Sequence, residues 1–417
     1  MSRRKASRRS DGAEYITCGA SESGCSQTVK IILLLQVVWY ILANCMETKV
    51  LKLDAAKVDA GKIKEAAEII DAGGLVAFPT ETVYGIACRV RADSLNKLNS
   101  LKNRNPEKYY TVHISRKNDV GKYVPRIGLR AQKLIKNAWP GPLTIVFEID
   151  SQDIARQQGV LEKEVFENLY RDNSIGIRCP DNQIAEKLLE MTANAVVAPS
   201  ANIAGRPPCV DAEDVLGQFS GQIEMVIDGG ACRYQKSSTV VKIGKDGLQI
   251  LRKGVYSQRD IESMAMVKFL FVCTGNTCRS PMAEGIFKKN IAEKLECSVD
   301  RLGEKGYKVL SAGTMGMSGL PASAEAAVVC EAMGIDIRGH KSSALSRQLI
   351  EDSDMIFVME QSHRQMVLSL CPQVSDKCFL LAEKEIPDPI GQSHEVYNNC
   401  AELIEKAVKK RIGELVI

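Results

Sequence analysis

The chain has 417 residues, 45% of them hydrophobic and 25% charged, with a formal net charge of +4. This is ordinary globular usage with length enough for two domains, which excludes a disordered chain or a disulfide-dependent small scaffold, and so small a charge demands no nucleic-acid partner. Fourteen cysteines without a C-x-x-C pair, and only four histidines, argue against a metal site and suit a reducing, cytoplasmic setting.

Residues 1–45 differ from the rest. A basic, Ser-rich stretch with Arg3, Arg4, Lys5, Arg8 and Arg9 leads into an apolar run, Ile31 to Ala43. That run is shorter than the roughly 20 residues a membrane-spanning helix needs, and no membrane association is expected. It has the length of a signal-peptide apolar region, and Leu42-Ala-Asn-Cys45 faintly resembles a lipoprotein cleavage site, with Asn44 wrong for it. Three readings stay open: translation starting at Met46, a signal or anchor, and an extension that is structured or disordered. The first is preferred.

From Met46 to about residue 258, short apolar runs alternate with amphipathic stretches. Leu75–Phe78, Leu143–Phe147, Ala195–Ala198 and Thr239–Ile243 read as strands, and Ile63–Ile70 and Ile184–Met191 as helices. The pattern predicts an α/β domain. Residues 256–265 read as a polar connecting segment, with a boundary near residue 262. Over 266–417 the alternation resumes, with buried strands at Val267–Val272 and Met355–Met359, and predicts a doubly wound parallel sheet.

The sharpest local signal is Cys273-Thr-Gly-Asn-Thr-Cys-Arg279-Ser280, set between a buried strand and a helix with Pro281 in its first turn. Five residues between Cys273 and Arg279 let Thr274, Gly275, Asn276, Thr277 and Cys278 wrap a tetrahedral phosphate with inward-pointing N–H groups, at the positive end of a helix. That field is expected to lower the thiol pKa of Cys273. Arg279 can grip two phosphoryl oxygens, and Ser280 can hydrogen-bond the sulfur as it leaves.

This segment resembles the phosphate loop of the low-molecular-weight protein phosphatases, and the likeness runs over residues 266–417. It implies that Asp388, in Ile386-Pro387-Asp388-Pro389, is the general acid and later the base, with no cofactor. It also implies either a reversible redox role or a loop-filling role for Cys278. Ser311-Ala-Gly313 matches a family segment that supports the loop. Thr277 stands where tyrosine-specific members carry isoleucine, and resembles the protein-arginine phosphatase branch. The stretch just after Asp388 lacks the tyrosines that flank a phenyl ring in the tyrosine-specific branch, Ile390 and Gly391 standing there instead, although Ile390 departs from the arginine branch's usual aromatic. Phosphoarginine is favoured over phosphotyrosine in a phosphoprotein substrate.

Upstream, Phe78-Pro-Thr-Glu-Thr-Val-Tyr-Gly85, Lys102-Asn-Arg104 with Lys108, His113, Trp139-Pro-Gly-Pro-Leu-Thr144, Ile177-Arg-Cys-Pro180, Ala198-Pro-Ser-Ala-Asn202, Ser237-Ser-Thr239 and Leu251-Arg-Lys-Gly254 follow in order. Their order and spacing resemble the YrdC-like threonylcarbamoyl-AMP synthases. The resemblance implies a twisted α/β domain that joins threonine, bicarbonate and ATP, with Mg²⁺ accompanying ATP. The product would serve a tRNA-modifying transferase complex. It implies ATP contacts from Lys102, Arg104, Lys108, Thr144, Ser200, Asn202 and Arg252, and threonine contacts from Thr82, His113 and Ser238, with Tyr84 lining the pocket. Asn105-Pro106 and Tyr109 depart from the family pattern in the loop expected to cover ATP. An RNA-binding branch of the same fold, contacting tRNA or double-stranded RNA, is the alternative reading. The chain then reads as a bifunctional cytoplasmic enzyme, or as an RNA-binding module joined to a tyrosine phosphatase.

Overall fold

In the computed structural model, residues 46–54, 57–244 and 247–417 are described; the readings placed on residues 1–45 lie outside them. The described chain from Thr48 to Ile417 forms one unit containing two sheets.

The first sheet is mixed and ten-stranded. Its strands are β1 (Lys49–Lys52), β2 (Val76–Phe78), β3 (Gly85–Arg89), β4 (Thr111–His113), β5 (Leu143–Glu148), β6 (Ser174–Arg178), β7 (Val196–Val197), β8 (Met225–Asp228), β9 (Thr239–Gly244) and β10 (Gly247–Arg252). They lie in the order β1-β8-β2-β3-β7-β4-β6-β5-β9-β10. The predicted strands all form, and the antiparallel pairs β2/β3, β3/β7 and β5/β6 interleave with parallel ones. One face is covered by two helices whose apolar residues recur at helical spacing. Ile63, Ala66, Ala67 and Ile70 of helix Ala60–Asp71 pack with Ile184, Ala185 and Leu188 of helix Gln183–Met191. Asp59 and Asn182 cap their N-termini by accepting backbone N–H bonds.

The second sheet comprises β11 (Val267–Cys273), β12 (Tyr307–Gly313), β13 (Met355–Val358) and β14 (Cys378–Leu380), all parallel, in the order β12-β11-β13-β14. Alternate β11 residues serve opposite faces. Phe269 and Phe271 pack with Phe287, Tyr397 and Ile404, while Leu270 and Val272 pack with Ile350 and Val367. Burial on both faces is why the strand reads as one continuous apolar run. This is the doubly wound α/β layer expected, and its crevice lies at the carboxyl ends of the strands, where β11 ends at Cys273.

The segment read as a polar connection is instead a helix, Gln258–Met264, started by a capping box between Ser257 and Asp260. Ile261 and Ala265 are fully buried in the core of the first domain. Seven residues with so few apolar positions carry almost no periodicity, which is why pattern reading passes over them. Asn137 Nδ2 donates to Met264 O at 2.8 Å, and Lys133 pairs with Asp354 at 2.5 Å across the seam between the two domains.

Candidate active sites

In the first domain the residues singled out converge on a cavity of about 340 Å³. Helix Ala92–Lys102 ends at Asn103, whose left-handed φ of 50° turns the chain so that Lys102 and Arg104 both reach the cavity wall. Lys102 is 5% exposed and donates through Nζ to the carbonyls of Ser200 and Asn202. Burial, with Arg104 and Lys108 nearby, pulls its ammonium down to about 8. Arg104 folds its own loop, donating to the carbonyls of Asn105, Lys108 and Tyr109 and stacking over Tyr110. The loop carrying the Asn105-Pro106 departure is thus organised by the arginine itself.

Ser200 Oγ donates to Asn202 Oδ1 at 2.5 Å, and Thr144 Oγ1 lies 3.1 Å from Ser238 Oγ, which accepts from Arg252 at 3.0 Å. His113 donates from Nδ1 to Thr111 O at 3.1 Å, leaving Nε2 an acceptor with no partner among the described residues. Burial, helped by Arg178, pushes it down to about 3, so the ring is neutral. Tyr84 donates to Gly230 O at 2.9 Å and lines the cavity. Lys102, Arg104, Lys108, His113, Thr144, Ser200, Asn202, Ser238 and Arg252 all line it, whereas Thr82 does not. The Thr82 side chain is fully buried, its hydroxyl engaged by Arg178 at 2.6 Å and Thr80 at 2.9 Å.

Arg178 received no role in the sequence reading. It lines the cavity, pairs with buried Glu81 at 2.9 Å and holds Thr80 and Thr82. The only signal for it was its place in Ile177-Arg-Cys-Pro180, since Glu81 and Thr82 meet it across nearly a hundred residues of chain. Lys102, Arg104, Lys108, Arg178 and Arg252 face the cavity, and among the described residues no carboxylate lines it. Such a surface is suited to a polyanion.

In the second domain, residues 274–278 form a loop between β11, which ends at Cys273, and helix Arg279–Lys294. Asn276 takes a left-handed φ of 55° and braces the loop through its side chain. Its Nδ2 donates to Ser280 Oγ at 2.8 Å and Ser311 Oγ at 2.9 Å, and its Oδ1 accepts from Ser343 N. Because Ser280 Oγ already accepts that bond, its own proton is available to Cys273 Sγ at 3.0 Å; Asn276 N also points at the sulfur, at 3.3 Å. Gly313 lies under the loop. A Cβ there would sit 2.9 Å from backbone atoms of both Thr274 and Gly275, so Ser311-Ala-Gly313 is the seat on which the loop rests.

Arg279 is 1% exposed. It is held by Glu360, by Asp388 at 2.5 Å, by Thr274 Oγ1 at 3.0 Å and by Ile386 O at 3.0 Å. Thr274 Oγ1 lies 2.9 Å from His363 Nε2. Glu360 and His363 lay outside the sequence reading and come from the turn and helix after β13.

The expected lowering of the Cys273 pKa is not what this geometry gives. Burial pushes the thiol up, against hydrogen bonds from Ser280 and Asn276 and the charge of Arg279. Arg279 is itself paired with two carboxylates, Glu360 and Asp388. Burial works to raise the Glu360 carboxyl, but its bond to Arg279 and that residue's charge hold it below the usual range. Cys278 is buried, its Sγ 3.3 Å from both Ser323 Oγ and Tyr397 Oη, and the described cysteines are free thiols. Thr277 and Gly275 form the loop's outer turn, with the Met317 methyl 3.6 Å from a Cβ position on Gly275. Ile390 stands exposed beyond Asp388.

Each α/β domain thus presents a surface suited to a phosphate-bearing anion, one a cationic cavity and the other a strand–loop–helix cradle. Residues 68–254 match the telomere recombination family of Sua5, YciO and YrdC, and residues 268–416 match the low molecular weight phosphotyrosine protein phosphatases. The chain is a YrdC/Sua5-like domain fused to a low-molecular-weight phosphatase domain, and through the latter it belongs to that phosphatase family.

It is 32% identical over 209 residues to the threonylcarbamoyl-AMP synthase of Pyrococcus abyssi, covering 50% of this chain and 58% of that protein. The chain thus spans little more than half the length of this synthase and of the one from Bacillus subtilis. It is 35% identical over 151 residues to the low molecular weight protein-tyrosine-phosphatase Etp of Escherichia coli, covering 34% of this chain and 93% of that one. Among solved structures, the YwlE arginine phosphatase of Geobacillus stearothermophilus is 30% identical with a TM-score of 0.31, covering 36% of this chain and 92% of that one. Among the described residues no helix is long and apolar enough to cross a membrane, and no group of three or more His, Cys, Asp or Glu could hold a metal ion.

Proposed function

We propose that the chain is a bifunctional cytoplasmic enzyme, with a threonylcarbamoyl-AMP synthase at residues 46–258 and a cysteine-dependent protein phosphatase at 266–417. In the first activity threonine, bicarbonate and ATP give threonylcarbamoyl-AMP, pyrophosphate and water. The carbamate oxygen formed on the threonine nitrogen attacks the α-phosphorus, and the α–β anhydride bond breaks. What supports this reading is a cavity walled by five cations, Lys102, Arg104, Lys108, Arg178 and Arg252, without an opposing carboxylate. They would take up the charge that develops on the departing pyrophosphate. With no carboxylate among the described residues lining the cavity, Mg²⁺ would enter on the triphosphate itself, and no step here is assigned to it. Ser200 and Asn202 would bond phosphate oxygens, and neutral His113 with Ser238 would hold threonine.

Thr82 would act on threonine only through the Thr80–Arg178 cluster. The product would pass to a tRNA-modifying transferase. Pyrophosphate release that requires both threonine and bicarbonate tests this. Release independent of both would favour the RNA-binding alternative.

In the second activity Cys273 Sγ attacks phosphorus, Arg279 holds the equatorial oxygens, and Asp388 gives its proton to the leaving group. Water then attacks the cysteinyl phosphate with Asp388 as base, and Ser280 donates to the departing thiolate. The supporting observation is the single cluster of Cys273, Ser280, Arg279 and Asp388. Phosphoarginine is the favoured substrate, because Thr277 offers a hydroxyl at the mouth and Ile390 and Gly391 stand where phenyl-flanking tyrosines would follow Asp388. Side-by-side hydrolysis of phosphoarginine and phosphotyrosine, with Thr277→Ile, tests the preference. A switch towards phosphotyrosine is expected in the variant, and phosphotyrosine preference in the wild type would refute the phosphoarginine reading.

A further inference from the structure

Arg279 is gripped at both ends of its guanidinium. Nη1 donates to Glu360 and to Ile386 O, and Nη2 donates to Asp388 and, at 3.0 Å, to Thr274 Oγ1. A phosphoryl group entering the loop takes the place of the Asp388 carboxylate. Thr274 is then the one protein group among the described residues still holding Nη2. The orientation of that hydroxyl therefore bears on how well Arg279 meets the phosphoryl oxygens.

His363, on helix Gln361–Leu370, sets that orientation. Its Nε2 lies 2.9 Å from Thr274 Oγ1, and the side chain is 3% exposed. A hydroxyl can donate once and accept twice. Arg279 fills one acceptor position on Oγ1, so the imidazole takes either the hydroxyl proton or the other lone pair, and either bond fixes the rotor. Burial pulls the His363 pKa below its usual value, with Arg279 adding to this and Glu360, Asp388 and Glu385 opposing it, so the ring is neutral at pH 7. Nδ1 is enclosed with no partner among the described residues. A buried imidazole with one nitrogen unpaired is costly as mere core filling, and its one hydrogen bond among the described residues is the one to Thr274.

Glu360 is the residue that opens the same helix. One helix start thus braces both terminal nitrogens of Arg279, Nη1 directly through Glu360 and Nη2 through His363 and Thr274. Unlike Glu360, the His363–Thr274 arm brings no negative charge to the guanidinium. It orients the cation without neutralising it.

We propose that His363 is a positioning residue for phosphoryl transfer, fixing the Thr274 hydroxyl so that Arg279 Nη2 stays aimed at the phosphoryl oxygens once Asp388 has left it. The inference rests on the phosphatase reading of residues 266–417. His363 bonds neither to the sulfur nor to Asp388, so its effect is the same for good and poor leaving groups.

The test compares the full chain with His363→Leu, His363→Gln, Thr274→Val and the Thr274→Val/His363→Leu double variant. Two quantities are read: kcat/KM for an aryl phosphate, and the affinity for inorganic phosphate, taken as the part of phosphate binding that Arg279→Ala abolishes. His363→Leu should lower both about tenfold, within the range of coupling between groups in direct contact. His363→Gln should recover most of the loss, because an amide can donate or accept where Nε2 does. On the Thr274→Val background, His363→Leu should cost no more than about twofold further. Losses that multiply in the double variant, His363→Gln as impaired as His363→Leu, or an undiminished His363→Leu would each overturn the proposal. If His363→Leu does not fold, His363→Asn takes its place with the same outcomes, since its shorter amide cannot reach Thr274. The phosphatase reading fails separately, if the wild type shows no turnover that Cys273→Ser removes. The phosphate affinities then still decide whether His363 positions Arg279.

Discussion

Asp388 accepts a hydrogen bond in the resting geometry, from Arg279 Nη2 to its Oδ2 at 2.5 Å, rather than donating one. The residue read as the general acid is thus bonded to the residue read as the phosphate clamp, and an incoming phosphoryl group must replace that carboxylate on the guanidinium. Replacing Asp388 by Asn keeps a hydrogen-bond acceptor for Arg279 but removes the acid. Hydrolysis of substrates with poor leaving groups should fall about 10²–10⁴-fold, and activated aryl phosphates should lose far less. A uniform loss across a leaving-group series would remove Asp388 from that role.

Glu360 offers a separable test of the charge balance on Arg279. Glu360→Gln removes one of the two carboxylates neutralising the guanidinium, so the potential at Cys273 becomes more positive and the thiolate is favoured. The pH midpoint for alkylation of Cys273 should move down by about one unit. An unmoved or raised midpoint would mean that burial alone sets the thiol pKa.

Lys102 supplies the pH prediction for the first domain. Its ammonium is held to about 8, first by burial and then by the neighbouring cations. The protonated form, which binds phosphate, therefore dominates below that pH and is lost above it. The apparent affinity for ATP should weaken as pH rises beyond about 8. Lys102→Arg keeps its charge and should flatten that dependence even if it lowers affinity overall, as nucleotide binding across pH 7 to 9.5 would reveal.

Gly313→Ala addresses the seat beneath the phosphate loop. The added Cβ meets backbone of Thr274 and Gly275 at 2.9 Å, and backbone cannot swing aside as a side chain can. Destabilisation of about 1–3 kcal/mol in denaturant unfolding is expected, with loss of phosphate binding at the loop. Gly339→Ala, where a Cβ meets nothing within 4 Å, is the control.

The phosphate loop was legible because its chemistry is contiguous. A buried strand, a turn with Asn276 and a helix with Pro281 in its first turn fall within a dozen residues, and backbone geometry ties them together locally. Lys102 and Arg104 were legible only through the order of the motifs around them, since two cations at a helix end read by themselves as solvated surface. The helix Gln258–Met264 was not, since it is too short to display a period and owes its existence to Ile261 and Ala265 filling a core assembled by distant strands.

Taken alone, the sequence determined two α/β domains, the order of their motifs and the residue types at each site, since these follow from local periodicity and from groups held close by the chain. Only the tertiary structure decided which charges face one another. Glu360 and Asp388 reach Arg279 across 81 and 109 residues, His363 reaches Thr274 across 89, and Arg178 draws Thr82 away from the cavity wall. Those outcomes rest on strand order and on desolvation, and neither is a property of any short stretch of chain.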